Sequence, residues 1–201
     1  SDILALPETP AIIAIDMPIG LPDKVSTGGR EPDAVARKVL GQRQSSIFAV
    51  PSRLAVMAPD YSTACTLSLA TSDPPRKISK QAWHLFPRIR EIDAIITPAL
   101  QERVFECHPE VAFWAMNGRV PLNEPKKVKS RPYAPGLALR RNLLEQGGFP
   151  RAFLDETAFR RSAAGADDFL DACACAWTAG RIRAGEALTF PEKPPLDARG
   201  L

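Results

Sequence analysis

Three acidic segments, far apart in the chain, set carboxylates against apolar neighbours: Ala-Ile-Ile-Ala-Ile-Asp16-Met-Pro18, Val-Phe-Glu106-Cys-His108-Pro109-Glu110 and Ala-Asp167-Asp168-Phe-Leu-Asp171-Ala. A carboxylate at the end of a buried strand or on an apolar helix is costly to desolvate, so it takes a cation or hydrogen-bond donors as partners. A divalent metal site is the sharp chemical reading of these acids. Oxygen ligands without imidazole or thiolate select Mg²⁺ or Mn²⁺. The two histidines, His84 and His108, form no His-Glu-x-x-His pattern, which argues against a conventional zinc hydrolase.

Each acid also has an ordinary reading. Asp167 and Asp168 stand where a helix N-terminus favours negative charge, worth about 0.3–1 kcal/mol per carboxylate. Asp171 lies one turn further in, between Leu170 and Ala172, where that reading explains less. Positions 168 and 171 are about 60° apart around a helix and about 4.5 Å apart along it, so they share a face. Asp167 and Asp171, four apart, also face similarly, and periodicity leaves open which pair points into a site. Asp16 could simply cap the turn after a strand. Glu106 and His108 could form a carboxylate–imidazole pair, although a structural hydrogen bond is the favoured reading for His108.

The elements that must hold these residues follow from the apolar pattern. Ala11 to Ile15 reads as a short buried parallel strand stopped by Met17-Pro18-Ile19-Gly20, which places Asp16 at its carboxyl end, the edge where open α/β sheets bind ligands. Val104-Phe105-Glu106 reads as a second strand ending. Helices are predicted over Glu31–Leu40, Ser79 to about Ile96 with a kink or break at Pro87, from Pro109, over Pro135–Gln146, and from Ala166 to about Arg183. Ser46–Val50 suits a short strand or extended loop, and Ala187–Phe190 a final short strand. Helices alternating with apolar strands indicate an α/β layered fold.

Bulk composition fits one domain over residues 1–201. With 45% hydrophobic and 24% charged residues, the chain can bury most of its unfolded surface in a single core. No stretch approaches the roughly 18 apolar residues of a membrane span, and Ser1 to Pro7 lacks the regions of a signal peptide, so a cytoplasmic protein without membrane partners is expected. Cys65, Cys107, Cys173 and Cys175 show neither disulfide-framework nor zinc-ribbon spacing, and free thiols are expected. A net charge of +3 permits a polyanionic partner without demanding one. Between Arg119 and Arg141, however, lie Arg119, Lys126, Lys127, Lys129, Arg131, Arg140 and Arg141 against one acid, Glu124. That segment is the best candidate for phosphate contacts, with Lys126, Lys127, Lys129 and Arg131 at its centre; the plain alternative is a solvated loop and helix face. Arg30 and Arg37 are further candidates, or partners for Asp33 or another core acid.

The series Ala-Ile-Asp16-Met-Pro-Ile-Gly-Leu-Pro22, Gly29-Arg30-x-x-Asp33-x-x-Ala-Arg37, Ser45-Ser-Ile-Phe-Ala-Val-Pro51, Ser79-Lys-Gln81, Arg90-Glu-Ile-Asp93, Glu106-Cys-His-Pro-Glu110 and Asp167-Asp-x-x-Asp-Ala172 resembles the predicted RNase H-like nuclease family, also described as domain of unknown function 429. The resemblance implies an RNase H-like α/β layered fold and, by superfamily analogy, two-metal phosphodiester hydrolysis on nucleic acid, DNA or RNA. On that basis Asp16, Asp168 and Asp171, with Glu106 lining the same cleft, are the expected catalytic acids. Asp16, Asp167, Asp168 and Asp171 are the expected Mg²⁺ or Mn²⁺ ligands. The family's opening Gly-x-Asp-Gly strand does not precede Asp16 here. The expected domain is therefore shortened at its N-terminal side and lacks the usual first strands, or those strands lie outside these residues; a free sheet edge would then invite a homo-oligomer. The alternative function is a noncatalytic nucleic-acid-binding or scaffold protein with an incomplete active site. A small-molecule phosphohydrolase ranks last, because Gly28-Gly29 and Gly147-Gly148 make no phosphate loop.

Overall fold

In the computed structural model, residues 4, 7, 9–155 and 165–201 are described; most of the opening segment read for targeting signals falls outside them. Two short strands, β1 (Ile13–Ile15) and β2 (Val104–Glu106), pair in parallel with Ile13 opposite Val104 and Ile15 opposite Glu106. This register sets Asp16 and Glu106 at the same carboxyl end of the sheet. Parallel strands need a long crossover. Here it holds α1 (Glu31–Leu40), α2 (Arg53–Val56), α3 (Tyr61–Thr71) and α4 (Lys80–Ile95).

Side-chain caps start most of these helices. Ser52, Asp60 and Ser79 accept the backbone N–H groups of Ala55, Thr63 and Ala82 at 3.3, 2.9 and 3.1 Å, satisfying donors that helix geometry leaves free. The predicted break at Pro87 does not occur: α4 is one continuous helix with Pro87 inside it. Proline removes one helical donor, but Ala82, Phe86 and Ile89 are buried on the same helix within a cluster that includes Leu21, Val56 and Ala64. That burial outweighs the missing bond.

Beyond β2 the chain forms α5 (Pro109–Met116), an antiparallel hairpin of β3 (Lys127–Val128) and β4 (Arg131–Pro132), then α6 (Ala134–Gln146), α7 (Arg151–Asp155) and α8 (Ala166–Arg183). α8 packs on β1, α5 and α6. Its Leu170 and Ala174 are fully buried with Phe113 and Leu144 in a second core cluster. Ile47–Val50 is an extended loop rather than a strand, and Gly41–Ser46 before it is a 3-10 turn. Ala187–Phe190 forms no strand; the Phe190 ring instead packs edge-on against Trp114, 5.8 Å between centroids. The described residues thus form a helix-rich α/β structure with two small sheets. Among the described residues no helix is long and apolar enough to cross a membrane.

Candidate metal centre

The loop leaving β1 is fixed before any chemistry is considered. Arg30, buried at the start of α1, donates to Asp33 Oδ1 at 2.8 Å and to both oxygens of Glu106 at 2.6 and 2.9 Å. It also donates to the Ile19 carbonyl at 2.9 Å, while Glu106 Oε2 accepts the Ile19 N–H at 2.7 Å. Burial opposes the charge of Arg30, but Glu106 and Asp33 more than compensate and hold its pKa above the ordinary value. Arg30 and Glu106 therefore brace residues 19 and 20 immediately beyond Asp16. Glu106, read above as a catalytic acid lining the cleft, has both oxygens engaged in this brace. Arg37 donates to the carbonyls of Gly28 and Ile47, so three of its N–H groups are taken up by backbone.

The last helix brings the other acids together. Asp167, Asp168 and Asp171 each offer a carboxylate oxygen within 4.8 Å of the others, a group that could hold a metal ion. Asp168 also caps its own helix, accepting the Gly165 N–H at 2.9 Å, so the electrostatic reading of the helix start and the metal reading apply to the same residue. Asp171 differs: it is buried, and its Oδ1 has no hydrogen-bond partner among the described residues. Burial raises the Asp171 carboxyl pKa, with Lys126 opposing the rise and Asp16 adding to it. Asp16 is not one of the close three, yet it shares their field. Burial raises its pKa too, His108 and Lys126 oppose the rise, and Glu106 and Asp168 reinforce it. All four aspartates line one open cleft with Glu106 and His108.

The basic segment divides into unlike parts. Lys126 forms an ion pair with Asp171, and Lys127 Nζ stands 2.7 Å from Asp167 Oδ2, which raises the Lys127 pKa. Lys129 and Arg131 are exposed around the hairpin tip, where Lys129 and Ser130 adopt positive φ values of 49° and 62°. Arg140, counted above with the candidate phosphate contacts, is only 1% exposed; it donates to Glu110 at 2.8 Å and to the Glu124 and Gly136 carbonyls at 3.0 and 2.8 Å. Arg141 pairs with Asp155 at 3.4 Å. Helical spacing carried the signal missed in the charge count: Arg140 shares a face with Leu137 and Leu144. Gly136 lets the hairpin base approach α6, since a Cβ there would collide with the Pro125 carbonyl.

His108 Nε2 lies 3.2 Å from the Ser46 carbonyl, the structural hydrogen bond favoured above, and because that carbonyl only accepts, Nε2 is the protonated nitrogen. Its Nδ1 is buried without a hydrogen-bond partner among the described residues. His84 is exposed, and the four cysteines are buried free thiols.

The donor set fits a hard divalent cation: clustered carboxylates, one with an unpartnered buried oxygen. No curated protein and no solved structure matches the chain. Residues 1–196 match the family described as Protein of unknown function (DUF429), and the chain belongs to that family.

Proposed function

We propose that this protein is a Mg²⁺- or Mn²⁺-dependent nuclease with an RNase H-like arrangement, hydrolysing phosphodiester bonds in the cleft between β1 and α8. One observation carries the reading: buried Asp171, with an unpartnered oxygen, meets Asp167 and Asp168 beside the Asp16 that ends a parallel strand. Asp16, Asp168 and Asp171 would hold the metal, with Asp167 completing the set. The chemistry supplied at such a site is activation of water and stabilisation of the leaving oxygen.

The chain's own residues do the positioning. β1 and the Arg30–Glu106 brace orient Asp16, and α8 delivers the other three acids from a rigid, buried element. Glu106 serves this reading as a positioning residue. Lys129 and Arg131, exposed at the hairpin, suit backbone phosphates of DNA or RNA. A second reading, nucleic-acid binding without turnover, draws support from Lys126 and Lys127, which already neutralise two of the acids.

Labelled single-stranded and duplex DNA and RNA, incubated with Mn²⁺, separate the two. The nuclease reading expects cleavage that disappears in Asp171→Asn while the melting transition stays cooperative. Equal cleavage by the variant overturns the assignment. Salt-sensitive binding without cleavage favours the second reading.

A further inference from the structure

Two ammonium groups occupy the acidic cluster from the side opposite α8. Lys126 pairs with Asp171 and Lys127 with Asp167, acids one helical turn apart, so adjacent hairpin residues bind adjacent turns of α8. Four carboxylates at positions 16, 167, 168 and 171 face these two cations, leaving two formal negative charges. The lysines are not buried as core ion pairs are: the Lys126 side chain is 28% exposed and that of Lys127 44%. Beyond them the hairpin strands are two residues each and exposed. Its base is anchored elsewhere. Tyr133 N–H donates to the Lys126 carbonyl at 2.9 Å, Arg140 holds the Glu124 carbonyl, and Gly136 permits close approach to Pro125. Releasing the lysine side chains therefore leaves the hairpin base in place.

We propose that Lys126 and Lys127 are exchangeable placeholders for the divalent cation: metal binding at the aspartates displaces both ammonium groups, which swing into the cleft mouth and become phosphate contacts. This rests on the metal-dependent reading of the same site. The argument is competition for oxygens. An ammonium is a compact cation on a flexible stem that can leave a carboxylate without moving the backbone. Asp171 offers its unpartnered Oδ1 to an incoming ion while Lys126 still holds the other side of the carboxylate, so exchange can begin before the ion pair breaks. The swap couples the two ligands of the reaction: without metal the lysines are spent on the acids, and with metal they join Lys129 and Arg131 on one basic hairpin.

The test uses Mn²⁺ alone as probe on the full chain. Lysine acetylation by a succinimidyl ester, read by mass spectrometry, should rise about threefold or more at Lys126 and Lys127 on Mn²⁺ saturation, because breaking each partly exposed ion pair frees the side chain for the reagent. Lys129, exposed on the same hairpin, should not change and serves as the internal control. Calorimetry should show Lys126→Met/Lys127→Met binding Mn²⁺ about fivefold more tightly than wild type, a modest gain for two partly exposed pairs. Binding confined to the variant overturns the exchange, because the wild-type lysines then never yield to the ion. Wild-type Mn²⁺ binding with unchanged or lowered lysine labelling overturns the exchange and leaves the metal site standing. No Mn²⁺ binding by wild type or variant overturns both.

Discussion

Replacing Arg140 by Met tests whether the buried ion pair under the hairpin is as isolated from water as the structure shows. Arg140 is 1% exposed and Glu110 3%, and the guanidinium also lies 5.5 Å from the Phe113 ring centre. Methionine fills similar space but leaves a buried carboxylate without its cation. Keeping that anion buried is the expensive choice, so the folded variant takes up a proton. At pH 7, protonating a carboxyl of ordinary glutamate acidity costs about 1.4 kcal/mol per pH unit above about 4.3, or about 4 kcal/mol; at pH 5 it costs about 1 kcal/mol. The lost donors to the Glu124 and Gly136 carbonyls add about 1 kcal/mol at either pH. The variant's deficit should therefore be small at pH 5 and grow as pH rises, because the protonated carboxyl is the form the variant can bury. Urea unfolding at both pH values measures it. A deficit below about 1 kcal/mol at pH 7, or one equal at the two pH values, refutes the buried pair.

Three further predictions follow from the same geometry. In EDTA, Asp171→Asn should match wild type near pH 3.5 and equal or exceed its melting temperature at pH 7. The raised carboxyl pKa of Asp171 contributes stability that is present below the ordinary aspartate value and lost as pH rises through the folded one, whereas Asn pays no such loss; a markedly less stable variant at pH 7 contradicts this. Glu106→Gln should lower the melting temperature by weakening the Arg30 brace and lower Mn²⁺ affinity in calorimetry by about tenfold through the position of Asp16, and complete loss of Mn²⁺ binding would return Glu106 to the ligand set. Gly136→Ala should destabilise despite a helix-propensity gain of about 1 kcal/mol, because the added methyl meets the Pro125 backbone and overpacking costs about 1–3 kcal/mol; a stabilised variant, seen by thermal melting, would show that the hairpin base yields freely.

Much of the site's scaffold was legible in residue spacing. The isoleucine run before Asp16, the Val-Phe-Glu106 ending and the alanine-rich last helix appear as strand, strand and helix, and the three aspartates of that helix do converge. Partner choice was not legible, because it is settled in space. A count of basic residues cannot distinguish Arg140, whose neighbours on α6 turn it inward, from Lys129 at an exposed tip. Nor does a charge run reveal that Lys126 and Lys127 reach acids forty or more residues away. α3 was missed because Ser, Thr and Cys dilute its apolar pattern, although Asp60 three residues before Thr63 was a readable cap. Ala187–Phe190 has strand-like residues but no strand to pair with among the described residues, and aromatic packing on Trp114 takes its place.

Calorimetric titration of Mn²⁺ into the wild-type protein and into Asp171→Asn tests the central claim most directly. The proposed carboxylate site predicts stoichiometric binding by wild type and its loss in the variant, whose melting in EDTA is unimpaired. No binding by wild type, or equal binding by both proteins, would contradict a metal centre built on Asp167, Asp168 and Asp171.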